Sequence, residues 1–109
     1  MFVRLVLWSL SESKANLAEL RRHLRDEIVQ PRAPVAGLRL RAWVSDEGTE
    51  RWGAIELWDS RQAAARADVL GRVRDVIGKD PALGEEFDVE AVEGALDAEL
   101  SRRGLAFDA

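Results

Sequence analysis

The stretch Leu38 to Ser60, LRLRAWVSDEGTERWGAIELWDS, constrains the fold more than any other. Two runs alternate with a period of two on either side of a polar turn containing Glu47 and Gly48, the pattern of paired, half-buried strands. With residue 45 placed opposite residue 50, one face of the hairpin offers Leu38, Leu40, Ala42 and Val44 beside Gly53, Ile55 and Leu57. The other carries Arg39, Arg41 and Trp43 against Glu56, Ala54 and Trp52, with Trp58 further along. The aliphatic face reads as core. The face with two arginines, a carboxylate and three tryptophans reads as a second interior, either a ligand cavity or a subunit interface.

The remaining elements follow from periodicity and caps. Phe2 to Leu10 repeats the division of faces: Val3, Leu5 and Leu7 on one side, Phe2, Arg4, Val6, Trp8 and Leu10 on the other. Ser11 or Ser13 is placed to cap a helix running to about Val29, whose Leu17, Leu20, Leu24 and Ile28 share a face. Pro31 and Pro34 end that helix, since proline lacks the amide donor and restricts the residue before it. After the hairpin, Asp59 or Ser60 caps a second helix, with Gln62 in a capping-box position. The alanine-rich run carries it to Ile77, with Ala63, Leu70, Val73 and Ile77 toward the sheet, Gly78 as its C-terminal cap and Pro81 as a stop. Glu85 to Glu93 alternates Phe87, Val89 and Ala91 with Asp88 and Glu90, as an edge strand would. Residues 94–109 form a tail, either with a short helix or frayed.

Composition limits the function classes. The 109 residues fit a single domain spanning the whole chain. There is no apolar run of about 20 residues to span a membrane, and MFVRLVLWSL lacks a signal-peptide cleavage pattern, so the expected location is cytoplasmic. The absence of cysteine excludes disulfides, a thiolate nucleophile and cysteine-ligated metal. A net charge of −4 argues against a nucleic-acid partner. The first 54 residues hold nine basic and seven acidic side chains, the rest seven and thirteen, so arginines that could meet an anionic ligand come from the first half. Glu85, Glu86, Asp88, Glu90 and Glu93 lack the spacing of a calcium loop, and the single histidine, His23, flanks the apolar stripe of the first helix. No phosphate-binding glycine loop or nucleophile elbow is present, and no cofactor or metal is expected.

The order β, α, β, β, α, β is that of an α+β, ferredoxin-like fold, with an antiparallel sheet in the order 4-1-3-2 and both helices on one face. On the expected division, Val3, Leu5, Leu7, Leu38, Leu40, Ala42, Gly53, Ile55 and Leu57 lie beneath the helices. Arg4, Val6, Trp8, Arg39, Arg41, Trp43, Trp52, Ala54, Glu56 and Trp58 then line the open side, where such a patch would meet a partner or a ligand.

The segment WGAIELWDSRQAAAR, a short strand followed by Trp58-Asp59-Ser60 and an alanine-rich helix, resembles the monooxygenase branch of the dimeric α+β barrel superfamily, related to antibiotic-biosynthesis monooxygenases. The resemblance implies a homodimer whose facing sheets enclose a small pocket. It also implies chemistry on a small aromatic or polyketide-like molecule, oxidised by molecular oxygen without metal or flavin. The asparagine, tryptophan and tyrosine set of polyketide members is not intact here, because the chain has no tyrosine; nor is the histidine-containing set of the haem-degrading members, since His23 lies on the first helix.

Glu56 and Arg41 are the candidate catalytic pair, a base and an oxyanion-orienting cation, or a structural ion pair at the interface. Arg4, Trp8, Arg39, Trp43, Trp52 and Trp58 are the candidate substrate-binding residues, the tryptophans serving either a flat-walled pocket or a subunit contact. Two functions follow: a cofactorless monooxygenase or related isomerase, or a non-catalytic dimer that binds a small molecule or protein through the same face.

Overall fold

The computed structural model describes residues 1–29, 35–66, 71–94 and 96–105, with the side chains of 27–29 and 71–72 outside the description. Its elements are β1 (Phe2–Ser9), α1 (Leu17–Val29), β2 (Leu38–Asp46), β3 (Arg51–Trp58), α2 (Arg61–Arg66), α3 (Gly71–Ile77), β4 (Leu83–Asp88) and α4 (Asp97–Arg102). The four strands form one antiparallel sheet in the order β2-β3-β1-β4, the expected ferredoxin-like topology. The expected second helix is described as α2 and α3. Pro31, Pro34, Leu70 and the side chain of Ile28 lie outside the described residues. The last strand is shorter and earlier than expected, because Leu83 already pairs with Leu7 and pairing stops at Asp88. The tail contains α4, which has no buried residue.

The starts of α1 and α2 are set by side-chain acceptors. Asn16, not Ser11 or Ser13, caps α1: its Oδ1 accepts from the amide of Glu19 at 2.9 Å. Ser60 caps α2 by accepting from the amide of Ala63 at 3.1 Å, while Asp59 is engaged elsewhere. Gly78 takes φ +87° and its amide donates to the carbonyl of Arg74 at 2.7 Å, closing the end of α3 as expected.

The two sheet faces are the reverse of the expected ones. Phe2, Val6, Trp8, Trp52, Ala54, Glu56 and Trp58 are buried, whereas Leu40 is 48% exposed, Ile55 39% and Phe87 52%. The helices therefore cover the tryptophan face. Val6, Trp8 and Trp52 pack with Leu20 of α1 and with Val73 and Ile77 of α3, and Phe2 and Trp58 pack with Ala63 and Ala64 of α2. Magnitudes account for the choice. A buried tryptophan removes about 150–250 Å² from water, worth about 4–6 kcal/mol at 25 cal/mol per Å². Several such rings outweigh the several kcal/mol lost on burying one carboxylate, provided its charge is met locally. Alternation alone could not choose between two faces that are both rich in apolar residues.

Cross-strand partners share a face, so the helix side can be read in rows across β4, β1, β3 and β2. They run Asp88, Phe2, Trp58, Leu38; then Glu86, Arg4, Glu56, Arg41; then Gly84, Val6, Ala54, Trp43. A fourth row holds Trp8, Trp52 and Ser45. The open side carries Phe87, Val3, Leu57, Leu40; Glu85, Leu5, Ile55, Ala42; and Leu83, Leu7, Gly53, Val44. Gly53 is required there: a Cβ would sit 2.1 Å from the carbonyl oxygen of Val6 and 2.6 Å from Cδ2 of Leu7.

Candidate functional site

The second row on the helix side places alternating charges across the whole sheet: Glu86, Arg4, Glu56, Arg41. Glu56 is fully buried. Arg4 donates from Nε to Oε1 at 2.8 Å, and Arg41 from Nε to Oε2 at 2.8 Å. Each carboxylate oxygen thus has its own guanidinium, the condition under which a buried carboxylate is tolerated. Trp58 Nε1 lies 3.4 Å from Oε1, a long contact. The arginines are also held by aromatic faces, Arg4 5.5 Å above Trp58 and Arg41 5.6 Å above Trp43, close enough for cation–π attraction.

The pairing expected between Arg39 and Glu56 does not form. The turn sits one residue later on each strand, with Asp46 opposite Arg51, and this brings Arg41 opposite Glu56. Asp46 fixes that turn by accepting from the amide of Gly48 at 3.1 Å and the hydroxyl of Thr49 at 2.7 Å. The Thr49 bond first, then that of Arg51 and more weakly that of Gly48, hold the Asp46 carboxyl below its usual range. A register irregularity between Leu38 and Leu40 then sends Arg39 out of the row. Arg39 forms a two-pronged, exposed pair with Asp59, Nε to Oδ1 at 2.6 Å and Nη2 to Oδ2 at 3.0 Å.

The tryptophans do not all have equal access to a ligand. Trp8 is fully buried and its Nε1 donates to the carbonyl of Lys79 at 3.0 Å, anchoring the turn after α3 to the sheet. Trp58 is also fully buried, and Arg4 lies over its ring. Trp43 is half-buried and stacks on Trp52, with centroids 6.1 Å apart and planes at 27°. The buried Trp52 Nε1 has no hydrogen-bond partner among the described residues.

The structure therefore brings Arg4, Arg41, Glu56, Trp43 and Trp58 together, continues from Trp43 to Trp52, and leaves Arg39 and Trp8 out. These residues lie beneath the helices, so they are not on the sheet face available to a second subunit, contrary to the expectation. Sequence reasoning missed Glu86 and Arg61. Arg61 lies over the ring of Phe2 at 4.9 Å and bridges Glu86 at 3.0 Å and Asp88 at 3.3 Å. The signal was present in the alternation of Glu86 and Asp88 around Phe87, but its meaning depends on the register of β4 against β1.

Among solved structures, this architecture is similar to a protein from Chloroflexus aurantiacus J-10-fl provisionally named an antibiotic biosynthesis monooxygenase. That likeness has a TM-score of 0.57 at 13% identity, over 85% of this chain and 96% of the other. The likeness is one of fold, a ferredoxin-like α+β sheet with its helices on one face. A protein of the same provisional name from Deinococcus radiodurans gives a TM-score of 0.51 at 18% identity, over 87% and 98% of the two chains. No family model and no curated protein matches the sequence. Among the described residues, no helix is long and apolar enough to cross a membrane.

Proposed function

We propose that the chain is a cofactor-independent, monooxygenase-like protein that takes a small aromatic or polyketide-like molecule on the helix side of its sheet, beside the charged row. The observation that carries this reading is Arg4. Only its Nε is used by Glu56, its Nη groups have no hydrogen-bond partner among the described residues, and its side chain is 20% exposed. A guanidinium so placed would receive an ionised hydroxyl or carboxylate through charge-assisted hydrogen bonds. The anionic, electron-rich form of a phenolic ring is the one that can reduce oxygen without metal or flavin. One oxygen atom would become the carbonyl of an oxidised ring methylene, and the other would leave as water with that carbon's two hydrogens.

In this reading Arg41 and Glu56 position Arg4, and Trp43 and Trp52 offer the apolar wall. Glu56 is a poor candidate for the base, since both its oxygens accept from arginines and protonation would break those pairs. The same observation favours a second reading, a non-catalytic binder of anionic aromatics. The homodimer belongs to both readings, now through the aliphatic face, where Leu40, Ile55 and Phe87 form part of an exposed apolar patch of the kind that meets a partner.

An oxygen electrode and product mass analysis with reduced anthrones and naphthols test the proposal. Turnover that falls tenfold or more in Arg4→Met supports the enzyme. Arg4-dependent quenching of tryptophan fluorescence without oxygen uptake would leave the binder alone, and neither signal would sink both.

A further inference from the structure

The side of Arg4 that faces the edge strand poses a problem that the Glu56 pair does not answer. Glu86 of β4 lies directly opposite Arg4 in the register, on the same face. Such partners have Cβ atoms about 4.5–5.5 Å apart, where opposite charges pair readily. Yet the Glu86 carboxylate is turned to Arg61, whose Nη1 donates to it at 3.0 Å while Nη2 donates to Asp88 at 3.3 Å. Arg61 is itself located by two things: it is the first residue of α2, directly after the Ser60 cap, and its guanidinium lies 4.9 Å above the ring of Phe2. A planar fork with both prongs occupied and an aromatic surface beneath it has little freedom to release either carboxylate.

We propose that Arg61 is a positioning residue that holds Glu86 away from Arg4 and so keeps the Arg4 guanidinium available to an anionic ligand. The inference rests on the reading of Arg4 as the ligand-facing cation. Without Arg61, the cation directly opposite Glu86 on its own face is Arg4, and a carboxylate on Arg4 competes with the ligand for the same Nη donors. Asp88 stands opposite Phe2, one step along the face and only diagonal to Arg4, so Glu86 is the nearer competitor. The Arg61 ion pairs are half exposed, so the effect is of the size of a surface pair and is screened by salt.

The experiment is a double-mutant cycle on Arg61 and Glu86, read as the affinity of the purified full chain for 2-naphthoate at low salt by isothermal titration calorimetry. Arg61→Met weakens binding about threefold, and Glu86→Gln has little effect alone but restores binding in the Arg61→Met background. Removing charges also shifts anion affinity at a distance, but that contribution is the same for Glu86→Gln in either background. Equal effects in the two backgrounds would therefore overturn the inference while leaving Arg4 as the ligand site. Binding that is absent, or indifferent to Arg4→Met, would overturn the reading of Arg4 and the inference with it. A crystal structure of Arg61→Met gives a check free of ligand: the Glu86 carboxylate is expected on Arg4 Nη, and its retention away from Arg4 would refute the proposal.

Discussion

At the scale of single residues, Glu56 is the most demanding group in the molecule, because it is fully buried and satisfied by side chains from two other strands. Glu56→Gln leaves Arg4 and Arg41 without their counter-charge, and breaking a buried pair in this way costs about 3–5 kcal/mol. Urea denaturation should show that loss, with the midpoint lowered and the slope unchanged. Asp59 behaves differently. The hydrogen bonds from Arg39 hold its carboxyl below the ordinary value of about 3.9. A depressed folded-state value means that the pair's contribution is present above the unfolded value and is lost as pH falls through the folded one. A carboxyl NMR titration should place the Asp59 midpoint below about 3.9, and Arg39→Gln should move it upward. Asp46 is depressed by its bonds to Thr49 and Arg51, so acid loosens the β2–β3 hairpin at both ends. The chemistry of these residues was legible in the sequence, but their pairing was not: Arg39 and Arg41 have the same alternation, and only the turn position and the irregularity at Leu38–Leu40 decide which one meets Glu56.

At the scale of elements, the first three strands and the connecting helices could be read from periodicity and caps, which are local, and the sheet order from the order of the elements; the last strand was placed too late, since its start depends on pairing with β1. Ser60 was legible as a cap, since it immediately precedes the alanine-rich helix. Asn16 was not, because Ser11 and Ser13 offer the same chemistry a few residues earlier, and Ser13 is spent on the amide of Ala15 instead. The pairing of β3 with β1 adds a constraint that no local pattern displays, the close passage of Gly53 under Leu7 and Val6. Gly53→Ala forces these strands apart and is expected to cost about 1–3 kcal/mol, as overpacking does. The same substitution at Gly84, where a Cβ meets nothing within 4 Å, should leave the urea midpoint nearly unchanged.

For the whole molecule, the decisive outcome is which side of the sheet the helices cover. That was illegible because both faces are apolar enough to be covered, and the charges that made one of them look like a cavity or an interface are paired with each other when buried. The aliphatic side is left open, and a second copy is the proposed cover. Ile55→Glu, in the middle of that side, is expected to shift the sedimentation coefficient to that of a monomer without changing the tryptophan fluorescence of the opposite face. A wild-type chain that sediments as a monomer would remove the dimer from both functional readings. The charged row also dictates an order of events during folding. Arg41 reaches Glu56 as soon as the β2–β3 hairpin closes, but Arg4 arrives only when β1, more than 50 residues away in sequence, joins the hairpin. Until then a helix settling over the sheet would strip water from a carboxylate with half its partners. Docking of the helices therefore belongs after the transition state and strand assembly before it, so φ-values should be low at Ala63 and Ala64 and high at the β1–β3 contacts of Val6.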